Sequence, residues 1–105
     1  MPRLTHSKET SIKVSLCTIK LGLPGCNSLK EKRSILQPLL IRLHKEFTVS
    51  ASEIGLQDIW QSARIGAVIL SNDSIHNNRV LNKLVDFIES NFPEIQVEEH
   101  HIENY

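Results

Sequence analysis

Twice along this chain an apolar pattern of period two gives way to one of period near 3.6, and that order constrains the fold more than any other feature. Strand residues alternate between two faces, whereas helical residues share a face at three- and four-residue steps. From Ile12 the sequence alternates, with Ile12, Val14 and Leu16 on one side and Lys13, Ser15 and Cys17 on the other, followed by Ile19 and Leu21. Gly22-Leu23-Pro24-Gly25 ends this strand with turn-forming residues. Leu29, Leu36, Leu39, Leu40, Leu43 and Phe47 then form one helical stripe, which predicts a helix from Ser28 to Glu46. Its start, Ser28-Leu29-Lys30-Glu31, is a capping box. Pro38 interrupts the amide donors but not the phase of the stripe, so the pattern predicts one helix kinked near Gln37.

The second round repeats the first. Thr48–Ile54 is β-prone and polar, as suits a short edge strand, and Gly55–Ser62 shows no period. Ala63–Ser71 carries Ile65, Val68, Ile69 and Leu70 on both faces and belongs at a sheet centre. Asn72-Asp73-Ser74 starts a second helix with Leu81, Leu84, Val85, Ile88 and Phe92 on its stripe, and Pro93 stops it. Ile95–Ile102 is a last strand whose Glu98, Glu99, His100 and His101 suit an edge. The order β-α-β-β-α-β is the α+β ferredoxin-like pattern. It predicts a four-stranded antiparallel sheet with the first and third strands central and two helices on one face.

Composition sets the class. The 105 residues are 40% hydrophobic and 23% charged, a balance that excludes disordered and collagenous chains. One domain is expected over residues 12–105, after a loose polar arm at residues 1–11. The longest apolar run, Ile65–Leu70, falls far short of the ~20 residues of a membrane span. Residues 1–10 lack the apolar core of a signal peptide, and two cysteines without one point to reduced thiols in the cytoplasm.

Few residues carry recognisable chemistry. Cys17 and Cys26 form no C-x-x-C pair, and adjacent His100 and His101 point to opposite faces of a strand, so no metal is expected. Asp73 and His76 fit helix capping and local hydrogen bonding. Cys17 lacks a nearby base and reads as a small core residue. No nucleotide-binding glycine motif or nucleophile elbow is present. No catalytic residue and no cofactor is therefore expected, and the chain reads as one that binds.

A net charge of zero conceals polarity: residues 1–50 hold nine Lys and Arg against three acids, and residues 51–105 the reverse. Either an anionic partner or self-association through complementary faces would use it. Lys30, Lys32 and Arg33 at a helix N-terminus are the candidate anion or nucleic-acid site, because free amides and the positive dipole end reinforce the cations. Base stacking on the central strands is not expected, since Phe47, Trp60, Phe87, Phe92 and Tyr105 all lie elsewhere. Two helices leave one sheet face uncovered while both central strands are apolar on both sides, which predicts a homodimer. Trp60, before the third strand, is its candidate anchor or else packs beneath its own loop.

Leu23-Pro24-Gly25, Ser28-Leu29-Lys30-Glu31-Lys32-Arg33, Gln57-Asp58-Ile59-Trp60-Gln61 and Ser71-Asn72-Asp73, in this order and spacing, resemble the YlxP-like family, domain of unknown function 503. The resemblance runs from about Ile12 to Val97, and Pro38 and the longer N-terminal arm depart from it. It implies a ferredoxin-like fold. Its members are small bacterial proteins often encoded beside translation-initiation and ribosome-maturation genes, which implies by association a link to RNA or ribosomal subunits. No activity or site residue can be carried over from it. The expected role is an RNA- or ribosome-associated accessory protein, the alternative a protein-interaction or self-assembly module, with an enzyme behind both.

Overall fold

The computed structural model describes residues 11–105. The arm expected at residues 1–11 lies, apart from Ser11, outside the described residues. Six elements follow one another: β1 (Lys13–Gly22), α1 (Leu29–Glu46), β2 (Ser50–Gly55), β3 (Ser62–Ser71), α2 (Ser74–Asn91) and β4 (Gln96–Asn104). The strands form one sheet in the order β2-β3-β1-β4, antiparallel throughout. This is the ferredoxin-like arrangement, with the first and third strands central.

The alternation of β1 divides it between two environments. Ser15, Cys17, Ile19 and Leu21 are buried beneath the helices, while Val14, Leu16, Thr18 and Lys20 face the other way and are half-buried. On β3, Ala63, Ile65, Ala67 and Ile69 meet the helices, opposite Leu21, Ile19, Cys17 and Ser15. Leu36, Leu39 and Leu43 of α1 and Leu81, Leu84, Val85 and Ile88 of α2 close the core from above. Ser15 would be an orphan in that core, but its hydroxyl donates to Asn104 Oδ1 at 2.6 Å.

Local chemistry sets the element ends. After Leu23, Pro24 and Gly25 occupy the middle of a turn closed by Cys26 N–H donating to Leu23 O at 3.1 Å. Gly25 takes φ +84°, which the position after the proline requires in a type II turn and a side chain would oppose. The Ser28 hydroxyl caps α1 by accepting from Glu31 N–H at 3.1 Å. Glu31 Oε2 reaches back to the Asn27 amide at 2.7 Å, one residue earlier than the usual capping box. Pro38 sits on the exposed side of α1, which runs unbroken from Leu29 to Glu46.

Asp73 caps α2 by accepting from Ile75 N–H at 2.9 Å. Asn77, fully buried in the first turn, accepts from Ser71 Oγ at 2.6 Å and donates to Lys13 O at 3.1 Å, tying α2 to both central strands. At the C-terminal end of α1, Phe47 meets Phe87 of α2 edge-to-face at 5.4 Å, and the Arg42 guanidinium of α1 lies 5.1 Å from the centre of the Phe87 ring.

One irregularity shapes the open sheet face. The β2–β3 register shifts between Glu53 and Gly55, so Ile54 bulges out of the ladder onto that face. It fits because residue 66 is glycine: a Cβ there would stand 3.2 Å from Ile54 Cδ1.

Candidate functional site

Lys30, Lys32 and Arg33 share four positions of sequence but not one environment. Lys30 and Arg33 are exposed, whereas Lys32 is 2% exposed. A helical turn of 3.6 residues places residue 32 with Leu36, Leu39 and Leu43, on the side turned to β2 and the core. Its ammonium donates to Leu56 O and Ile59 O, both at 2.7 Å, and lies 3.1 Å from Glu53 Oε2. That oxygen is buried and accepts no hydrogen bond, so the third contact is Coulombic. Lys32 therefore clasps β2 and the β2–β3 turn to α1. Its ammonium is engaged inside the fold, and of the three expected cations Lys30 and Arg33 stand exposed.

The exposed side of α1 offers a different grouping. Lys30, Arg33, Gln37, Ile41 and Lys45 are all exposed and, at three- and four-residue steps, form a ridge about 22 Å long at 1.5 Å per residue. No carboxylate stands in this row. Glu31 is occupied at the cap, and Glu46 lies 3.8 Å from Arg42 on the flank. His44 is turned towards β2, where its Nε2 accepts from Ala51 N–H at 2.9 Å.

Beside the ridge, between α1 and the β2–β3 turn, lies a cleft of about 310 Å³. Leu29, Leu36 and Leu40 form one wall, the Lys32–Glu53 pair lies at its base, and Arg33, Gln37, Gln57 and Asp58 are exposed around its mouth. The turn itself is strained: Leu56 has φ +61°, uncommon for a residue with a side chain, and its carbonyl is one of the two that Lys32 holds.

Trp60 follows this turn. It is 46% exposed beside the equally exposed Ile59. On the open sheet face Ile54, Val68 and Leu70 are exposed, Leu70 at 65%. The expected uncovered apolar face is thus present.

The chain matches the family described as "Protein of unknown function (DUF503)" over residues 14–102. It belongs to that family. A relative, the uncharacterized protein YlxP of Bacillus subtilis (strain 168), is 44% identical over 69 residues, covering 66% of this chain and 74% of the relative. The DUF503 match reaches into all six elements, short only of Lys13 in β1 and residues 103–104 in β4, and includes the ridge and the cleft.

Other candidate groups in this DUF503 chain have plain surroundings. Burial pushes the Cys17 thiol up to about 11, against a weaker opposing hydrogen bond from the His101 backbone, so it stays protonated at neutral pH. Cys26 is buried with its Sγ 3.4 Å from Ser28 O. Among the described residues no three His, Cys, Asp or Glu side chains are grouped to hold a metal ion. Nor is any described helix long and apolar enough to cross a membrane.

The burial of Lys32 had a signal in the sequence. Position 32 is three after Leu29 and four before Leu36, so it falls within the apolar stripe of α1.

Proposed function

We propose that the protein is a cytoplasmic accessory protein that binds structured RNA, in the setting of ribosomal subunits, and that it binds rather than catalyses. The observation that carries this reading is the carboxylate-free ridge of α1 with Lys30, Arg33 and Lys45. Cations spaced along one helix can follow a phosphate backbone, and no acid stands in the row itself. The ridge replaces the N-terminal cluster as the proposed contact surface, because the ammonium of Lys32 is already engaged.

The test is binding to ribosomal subunits and to structured RNA across a salt series. Each phosphate contact contributes about 0.7–0.9 to the slope of log affinity against log salt. The triple variant Lys30→Gln, Arg33→Gln, Lys45→Gln should lose roughly two units of slope, while Lys32→Gln should leave the slope unchanged. No binding by the parent at low salt, or equal slopes for parent and triple variant, would overturn the proposal.

A second reading, self-association, has its own observation: Ile54, Val68 and Leu70 expose an apolar patch on a sheet face that neither helix covers. On the same face Lys20 and Glu103 give two copies opposite charges to pair, while Arg64 and Glu99 already meet at 3.8 Å within the chain. Light scattering at micromolar concentration distinguishes dimer from monomer.

A further inference from the structure

We propose that the cleft between α1 and the β2–β3 turn takes one nucleotide, its base against the leucine wall and its phosphate at Arg33. The shared chemistry is a flat heteroaromatic ring bearing one phosphate, whether free as a mononucleotide or unpaired in an RNA strand. This deepens the RNA reading, and the RNA arm of its test rests on that reading.

The size is suitable. About 310 Å³ lies at the small end of the ~300–1,000 Å³ of small-molecule sites. The interior decides what kind of molecule enters. Leu29, Leu36 and Leu40 offer one continuous apolar wall, because positions 29, 36 and 40 share a side of the helix. At the base, Lys32 gives two donors to carbonyls and sets its charge against Glu53. That base is electrically paired. It has no spare cation to draw a polyphosphate inward, so the inner part of a ligand should be uncharged and apolar on its face.

The mouth is different. The two Gln side chains each present a donor and an acceptor, Asp58 presents acceptors, and all are exposed. Such planar groups match the edge of a base, which alternates donors and acceptors. Arg33 forms no ion pair among the described residues and supplies a fork of donors suited to one phosphate. It also belongs to both surfaces. A strand whose phosphates follow Lys45, Arg33 and Lys30 has the sugar and base at Arg33 beside the cleft.

The experiment is a backbone-amide NMR titration of the full chain with AMP, GMP, CMP and UMP to about 1 mM, the range of a single small site. At least one nucleotide should shift Leu36, Glu53 and Asp58. The double variant Gln57→Ala, Asp58→Ala, at exposed positions and verified as folded from its spectrum, should weaken that binding at least tenfold. Arg33→Ala should weaken the nucleotide and leave the matching nucleoside unaffected. Titration with leucine provides the control for an amphipathic zwitterion.

The proposal is overturned if no nucleotide shifts these amides, if the double variant binds as the parent does, or if leucine alone produces the shifts. The two readings fail separately. Nucleotide binding in a protein that binds no RNA supports the cleft and removes the ridge. Ridge-dependent RNA binding that the double variant does not weaken, with no nucleotide shift, removes the cleft and keeps the ridge.

Discussion

Replacing Lys32 by methionine tests the clasp that holds β2 and the β2–β3 turn against α1. The substitution keeps most of the buried stem and deletes the ammonium, leaving Leu56 O and Ile59 O without their 2.7 Å donors and Glu53 without its counter-charge. Removing one partner of a buried ion pair costs about 3–5 kcal/mol, and an orphaned buried acceptor about 1–3 kcal/mol. The Glu53 side chain is 27% exposed and Ile59 lies at the surface, so water recovers part of each loss. A destabilisation of about 3 kcal/mol follows, at the low end of the ion-pair range. For a domain of this size that lowers Tm by roughly 12–24 °C. Urea unfolding provides the measurement, with the midpoint falling and the slope unchanged. Lys32→Met with Glu53→Leu should recover about half of the loss, since the second change removes the stranded carboxylate. A loss below about 1 kcal/mol for Lys32→Met would refute the clasp, because a solvated surface lysine gives that result.

Three further outcomes are expected. Burial pushes the folded Cys17 thiol up to about 11, against 9.0 for an ordinary thiol, so its contribution to stability is constant below about pH 9 and falls between pH 9 and 11 as the unfolded chain loses the proton first. Thermal unfolding from pH 8 to 11 should show this fall, and Cys17→Ala should flatten it. Leu70→Glu, at a site 65% exposed, should change stability by no more than about 0.5 kcal/mol and return any dimer to monomer in light scattering. The ridge variant Lys30→Gln, Arg33→Gln, Lys45→Gln should keep its urea midpoint within a similar margin of the parent, so that any loss of RNA binding reports on charge.

The fold was legible because period and turn chemistry agreed. The stripe from Leu29 to Phe47 and the one from Leu81 to Phe92 each became one helix, and Ser28 and Asp73 cap them. The apolarity of Ala63–Ser71 marked a central strand. β2 begins at Ser50 rather than Thr48, and β4 runs on to Asn104, because pairing with a neighbour and not propensity sets strand ends. The candidate site was only half legible. Charge grouped Lys32 with its neighbours although its place in the apolar stripe marked it for burial, and the carbonyls that hold it belong to a turn more than twenty residues away that has no period to read. Asn77 was silent for the same reason, since its partners Ser71 and Lys13 meet only in the fold.

The pairing of β1 carries a consequence for the birth of the molecule. Cys17 is flanked by Ala67 on one side and by Ile102 on the other, so the first strand made is completed by the last of the four. While the chain emerges, β1 can recruit β3 but keeps one bare edge until residues 96–104 are released. Such an edge is a template for any passing strand, and contacts so distant in sequence form slowly. The charged residues of β4, Glu98, Glu99 and Glu103 among them, then become the outer border of the sheet and end that exposure.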